Sequence, residues 1–460
     1  MKISVTNLGS IKQATVELGG LTVFVGPNGT GKSYLAKVLY GLHKNEQFKI
    51  SFLNNVDGFY KILFSKNIST IEGAINDLQQ LTPDVLLQAL PDLINLHAAL
   101  FKNRLGEFFN DDSDIFKNTN VVCSDFEVIS HLKESNSLIP SLLTHQELQD
   151  IINGVVYQIK DSADRSLSRY PEVVLWGLLT RVFRTIGGND TEYFPAARSN
   201  YMLTYKEIYR ARANEYVGLE DSIYQTLSSQ NTRRTGKLIR IDKPTEDFLS
   251  RIYQLNSAEQ SFLTAIADKL QNRLYGSDSL IVNQPEGALP DFRYRVQNSE
   301  NNLRLHLASS MVTETSPLLV GFKYWVQPNS LVIIDEPESH LHPEAQSALI
   351  SVLVEAVNQG LRLILITHSP YILACVNNLI KFGKLSECYA EDSQIVQFKA
   401  QHPDLVALEK PVHAYHFAHD GEVKDILLPS GLIDEAEFTE PFDRINELYE
   451  TMRDIEWEHR

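Results

Sequence analysis

Gly26–Leu42 reads GPNGTGKSYLAKVLYGL. Its glycines at 26, 29 and 31, followed by Lys32 and Ser33, fit the spacing G-x-x-x-x-G-K-S, in which a tightly curled backbone aims successive N–H groups at phosphate oxygens. The preceding LTVFV, Leu21–Val25, is an unbroken apolar run suited to a strand buried on both faces. After Ser33, the residues Leu35, Val38, Leu39 and Leu42 recur at helical spacing. A strand feeding a glycine loop and then a helix is the setting a phosphate-binding loop requires. The candidate nucleotide-binding residues are therefore Gly26, Pro27, Asn28, Gly29, Thr30, Gly31, Lys32 and Ser33, with Lys32 reaching the β and γ phosphates and Ser33 ligating magnesium.

The matching half lies far downstream. SLVIIDEPESHLHP, Ser330–Pro343, places another apolar strand before Asp335 and Glu336. Ligands of open α/β sheets bind at the C-terminal ends of strands, so Asp335 is the second candidate for holding magnesium and Glu336 the candidate general base for an attacking water. A third apolar strand, LRLILITHS, Leu361–Ser369, ends at His368, whose imidazole can hydrogen-bond a γ phosphate and a catalytic water. Two histidine groupings invite a metal reading. In Glu338, His340 and His342 the spacing suits ligands. His413, His416 and His419 would share a helix face, but VHAYHF alternates as a strand, which turns His416 away from the other two.

Around these motifs the chain divides into segments. Residues 1–43 carry the glycine loop behind two alternating strands in KISVTNL and ATVEL. Residues 44–190 change to helical periodicity, as in PDVLLQALPDLINLHAALFKNRL, LTHQELQDIINGVVYQIKD and PEVVLWGLLTRVFRTI, and are expected to form a helical insertion. Residues 191–300 return to the sheet at EYFPAARSNY, continue through a long helical stretch and end in a hairpin through LIVNQ and DFRYRVQ. Residues 301–400 alternate strand and helix, the sign of a parallel sheet with crossover helices. Residues 401–460 add strands and an acidic tail in which Ile445, Leu448, Tyr449, Met452 and Ile455 fall at helical spacing, expected to pack as a final amphipathic helix, with an exposed docking helix as the alternative. The expected class is α/β, a mostly parallel sheet with an antiparallel N-terminal part.

The order GPNGTGKS, LVIIDEPESHLHPEAQ and LILITHS resembles the ABC-type ATPases of the SMC, RecF and OLD group, and E-P-E-x-H-L-H-P resembles the bacterial OLD-like families. The resemblance covers residues 1–42 and 303–380, and more weakly YFPAARS. It implies ATP and Mg2+ as cofactors and two heads that sandwich nucleotide in a homo-oligomer. The signature loop of one head would complete the site of the other, and here LHLASSMVTETSPLL stands in its place, with Ser309 and Ser310 as the signature serines. Met311 occupies a position where the family carries glycine. Ser339, His340, Leu341 and His342 resemble the loop that crosses the dimer seam, which accounts for Glu338, His340 and His342 better than a metal site does, and Gln79 or Gln80 are candidates for the bridging glutamine. The closest roles by resemblance are the ATPase subunits of bacterial antiphage systems such as PARIS and Septu, which control a separately encoded nuclease or toxin. The alternative is a RecF- or SMC-type clamp on DNA.

Composition bounds the partners. The chain has 460 residues, 43% of them hydrophobic, and a formal net charge of −16. That charge opposes a surface that binds nucleic acid everywhere, because phosphate neutralisation needs clustered bases. Between Arg198 and Lys243 bases outnumber acids, so this stretch is either a solvated charged helix face or, if any part of the chain touches DNA, the candidate contact. No apolar run approaches the roughly 20 residues that span a bilayer, and the three cysteines, Cys123, Cys375 and Cys388, lack metal or disulfide spacing. A cytoplasmic protein without membrane contact is expected, with ATP hydrolysis its only chemistry and no nuclease activity of its own.

Overall fold

The computed structural model describes residues 2–66, 73, 76–77, 80–111, 114–124, 190–226, 240–276, 280–285, 288–296 and 301–458. The helical patterns at 143–161 and 171–186, together with Gln79, Arg233 and Arg234, lie outside the described residues. In chain order the N-terminal part runs β1 (Lys2–Leu8), β2 (Ile11–Glu17), β3 (Leu21–Val25) and α1 (Lys32–His43). There follow α2 (Asn45–Asn54), α3 (Val56–Phe64), α4 (Pro83–Lys102), α5 (Leu105–Phe109) and β4 (Asn120–Ser124). After residue 190 come β5 (Thr191–Phe194), α6 (Arg198–Thr226), α7 (Lys243–Tyr253), α8 (Thr264–Tyr275), β6 (Leu280–Asn283), β7 (Asp291–Arg295) and β8 (Asn302–Arg304). The C-terminal part is α9 (Ser310–Tyr324), β9 (Leu331–Asp335), α10 (Pro343–Asn358), β10 (Arg362–Thr367), α11 (Pro370–Cys388), α12 (Ser393–Gln401), β11 (Val412–Phe417), β12 (Val423–Asp425) and α13 (Ala436–Glu458).

The central sheet has six strands in the order β12-β11-β3-β10-β9-β5. All but β12 run parallel. Alternate residues of each central strand feed opposite layers. Phe24, Ile333, Ile364 and Ile366 join the core that includes β1, β2 and α1 to α4. Val23, Val332, Ile334, Leu363 and Leu365 join the core that includes α7 to α11. Burial on both faces is why these strands read as unbroken apolar runs. The α/β class and the mostly parallel sheet with an antiparallel N-terminal part agree with the expectation. Among the described residues no helix is long and apolar enough to cross a membrane.

Three expectations need correcting. The 44–190 excursion is not wholly helical, because β4 pairs antiparallel with β1 in a separate sheet of order β2-β1-β4. Its Val121 and Cys123 face inward while Val122 is exposed, an alternation too short to stand out. The helical stretch after residue 243 is two helices, α7 and α8, with a break in which the Ser261 hydroxyl donates to the Val326 carbonyl at 2.7 Å. The tail helix α13 does not pack along its length. Phe438 rests against the core, but Ile445, Leu448, Tyr449 and Met452 are 65, 61, 60 and 53% exposed. Periodicity defines an apolar face without supplying the surface to cover it.

The ends of the excursion meet: the Lys44 ammonium lies 2.9 Å from Asp190 Oδ1 and donates to the Thr191 carbonyl at 2.8 Å. Within the excursion, His97 of α4 is 1% exposed, with Nδ1 3.0 Å from Ser51 Oγ and Nε2 3.3 Å from the Leu42 carbonyl. Burial depresses its pKa from 6.5 to about 4. The unfolded chain therefore takes up a proton that the folded chain refuses, and stability falls as pH drops from about 6.5 towards 4, by up to about 1.4 kcal/mol per pH unit. Thermal unfolding at about pH 7 and about pH 5 checks this: the midpoint is lower in acid, and His97→Gln, which cannot take up the proton, shows a smaller drop.

Candidate active site

The strand register places the motif residues along one sheet edge. Ile366 of β10 pairs with Asp335 of β9, and Thr367 pairs with Val25 of β3. The three strands thus end side by side at Gly26, Glu336 and His368.

The glycine loop is held by its backbone. Gly26 has φ +135° and Gly31 φ +96°, conformations that an L side chain resists. A Cβ on Gly26 would meet the Phe417 carbonyl oxygen at 2.4 Å, and one on Gly31 would meet Ile11 Cγ1 at 2.6 Å. The Thr30 hydroxyl donates to the Pro27 carbonyl at 2.8 Å, while Asn28 and Gly29 are exposed. Lys32 opens α1, and its ammonium donates to the Gly26 and Pro27 carbonyls at 2.7 and 2.6 Å. Burial lowers the Lys32 pKa, and the carboxylates of Asp335, Glu336 and Glu338 pull it back up. A compact cation beneath a curled loop at a helix N-terminus can receive phosphate oxygens.

The carboxylates occupy different surroundings. Asp335 is 5% exposed and accepts the Tyr193 hydroxyl at 2.8 Å and a hydrogen bond from Ser33. Burial raises its pKa, against the pull of those donors and of Lys37. Ser33 and Asp335 therefore form one oxygen-rich corner able to hold Mg2+, a cation that takes oxygen ligands and keeps several waters. Glu336 has φ +51°, a strained conformation for a residue with a side chain. Its N–H donates to the Ile366 carbonyl at 2.9 Å, extending the ladder, and its Oε2 accepts the Ser339 hydroxyl at 3.1 Å.

Glu338 belongs to the site and not to a histidine cluster. Its Oε1 accepts the Thr367 hydroxyl at 2.7 Å and the His368 N–H at 2.9 Å, which fixes the strand end that carries the imidazole. Glu338 Oε2 is buried without a hydrogen-bond partner among the described residues. His340 and His342 are exposed, with His342 capping α10. Among the described residues no three His, Cys, Asp or Glu gather in metal-binding geometry.

Several expected residues lie elsewhere. Ser309 and Ser310 are exposed at the N-terminus of α9, where the Ser309 hydroxyl accepts from the Val312 N–H at 3.5 Å. Gln80 sits in an exposed turn before α4. The candidate DNA stretch loses its first base: Arg198 is 0% exposed and donates to the Glu314, Asp335 and Glu336 carbonyls at 3.1, 2.8 and 3.1 Å. Lys206, Arg212 and Lys243 are paired with Asp291, Glu246 and Asp247. A base already engaged by carboxylates or carbonyls offers little to a polyanion. Tyr193 lies in the YFPAARS stretch and Glu314 in the signature stretch, but neither stands out there, because nothing local to either residue reports a partner more than a hundred positions away.

A family model described as AAA ATPase domain (AAA_15) matches residues 1–373, and the chain belongs to that family. Protein ea59 of Escherichia phage lambda is 28% identical over 170 residues, 34% of this chain and 31% of that protein. The match thus spans about a third of that relative's length. Among solved structures, the Smc head domain of Pyrococcus furiosus bound to the C-terminal domain of ScpA is 14% identical, covering 97% of this chain and 98% of that chain at a TM-score of 0.32. An SmcHead bound to the C-winged helix domain of ScpA is 13% identical, covering 92 and 96% at the same score. Superpositions this loose do not define a shared fold.

The Tyr193 hydroxyl is a buried donor to Asp335 from outside the glycine loop. Tyr193→Phe removes a buried donor from the carboxylate without touching the glycine loop. Fluorescent-nucleotide titration should show affinity in Mg2+ weakened by about 10- to 100-fold and affinity in EDTA unchanged. Equal affinity in Mg2+ would separate Tyr193 from metal binding.

Proposed function

We propose that this member of the AAA ATPase domain family is an ABC-type ATP hydrolase. In this reading its heads pair around nucleotide, and it serves as sensor or regulatory subunit of a bacterial antiphage system with a separately encoded nuclease or toxin. The observation that carries the ATPase mechanism is the meeting of Lys32, Ser33, Asp335, Glu336 and the Glu338-held strand end of His368 at one sheet edge. The loop amides and Lys32 bind the β and γ phosphates. Ser33 and Asp335 would hold Mg2+, which when bound would supply charge neutralisation on the phosphate oxygens. Water attacks the γ phosphorus, the bond to the ADP oxygen breaks, and Glu336 takes the water's proton. His368 hydrogen-bonds the γ phosphate side.

Pairing is supported by the exposure of Ser309 and Ser310 at a helix N-terminus, a place suited to a phosphate presented from another molecule. Met311 packs against the core, so its bulk is directed into the body. The defence role rests on the order of motifs and on the E-P-E-x-H-L-H-P continuation.

Two substitutions separate the roles. Lys32→Ala weakens ATP binding, whereas Glu336→Gln binds ATP, turns it over at least about a hundredfold more slowly and accumulates the paired form. Equilibrium binding, phosphate release and light scattering measure these, and normal turnover by Glu336→Gln would remove it as the base. Mass spectrometry of what co-purifies with Glu336→Gln in ATP tests the biology. A stoichiometric nuclease or toxin is expected, and DNA with repair proteins instead would contradict the defence role.

A further inference from the structure

The PAARS corner carries the chain from β5 into α6 and turns Arg198 into the body. A buried guanidinium is tolerated only when its donors are used and its charge is countered. Both conditions are met by two distant segments. Nη1 and Nη2 donate to the consecutive carbonyls of Asp335 and Glu336, at 2.8 and 3.1 Å. Nε donates to the Glu314 carbonyl at 3.1 Å, and the Glu314 carboxylate lies 3.5 Å from Nη2. The other carboxylate oxygen of Glu314 accepts the Ser199 hydroxyl at 2.5 Å, so the corner grips α9 through two successive residues.

Two features set this clamp apart from a core ion pair. It spans the peptide of Glu336, whose positive φ of +51° needs external support to persist. A planar fork can hold two neighbouring carbonyls at once, which a point-like ammonium cannot. Its opposite end is fixed to the first turns of α9, a few residues from Ser309 and Ser310. Displacement of the Asp335–Glu336 loop therefore pulls on the helix that presents those serines.

We propose that Arg198 is a positioning residue that keeps Glu336 in its working backbone conformation and couples the Asp335–Glu336 loop to the N-terminus of α9. This rests on the reading of the site as one that hydrolyses ATP. The glycine loop makes no part of the clamp, so nucleotide affinity and catalytic competence are separable.

Arg198→Lys in the full chain tests it. In EDTA fluorescent ATP should bind within about twofold of wild type, in Mg2+ kcat should fall about 10- to 100-fold, and in the Glu336→Gln background ATP should no longer drive pairing. Glu314→Gln, which loosens the other end of the clamp, should reproduce this split and serves if Arg198→Lys does not fold. Wild-type kcat in a folded Arg198→Lys protein, parallel losses of affinity and turnover, or insolubility of both variants would overturn the proposal. A wild-type protein that binds ATP without hydrolysing it would defeat the functional reading instead. The clamp is then judged on pairing, and undiminished ATP-driven pairing by the Arg198→Lys, Glu336→Gln double variant would overturn it.

Discussion

The parallel register of β3, β10 and β9 is the constraint from which the site follows. Each strand is packed on both faces, so a charged side chain in the strand's interior would be buried away from water. Polar chemistry begins only where the strands stop, and the pairings Ile366 to Asp335 and Thr367 to Val25 make them stop together. Segments separated by hundreds of residues thereby deliver an ammonium, two acidic side chains and an imidazole to one edge. The Glu336 N–H, bonded to the Ile366 carbonyl, carries the ladder one step past the strand and into the strained residue itself.

Gathering Asp335, Glu336 and Glu338 near one another is unfavourable in isolation, and the surrounding residues show how it is offset. Asp335 is served by Ser33 and Tyr193, Glu336 by Ser339, and one oxygen of Glu338 by Thr367 and the His368 N–H. Arg198 adds a buried positive charge that engages the carbonyls behind the acids, leaving their carboxylates available. Supporting groups of this kind hold reacting side chains in place before a ligand arrives, which lowers the reorganisation needed at the moment of reaction. The left-handed backbone at Glu336 is then a stored constraint, maintained by the Arg198 fork and the β10 carbonyl together.

Local signals were legible in the sequence, and long-range ones were not. The glycine loop, the apolar runs ending in DE and THS, and the alternation of VHAYHF each depend on residues within a few positions, and the strands stand where those patterns put them. Tyr193, Arg198 and Glu314 act across 142, 137 and 116 residues, a separation no periodicity records. Charge counting treated Arg198 as one of a basic run because composition does not reveal partners. β4 was missed for a related reason, since its pairing with β1 crosses more than a hundred residues and a five-residue alternation is weak evidence alone. α13 shows the converse: its stripe was readable, but whether anything lies against the stripe is a property of the tertiary structure.

The central claim is that the edge shared by β3, β9 and β10 is where a nucleoside triphosphate sits and is cleaved. The most direct measurement is an experimental structure of the Glu336→Gln protein with ATP and Mg2+. The account predicts the triphosphate against the Gly26–Ser33 loop, the metal beside Ser33 and Asp335, and Lys32 moved from the Gly26 and Pro27 carbonyls onto phosphate oxygens. Nucleotide bound elsewhere, or a Lys32 that keeps its carbonyl partners with ATP in place, would contradict it.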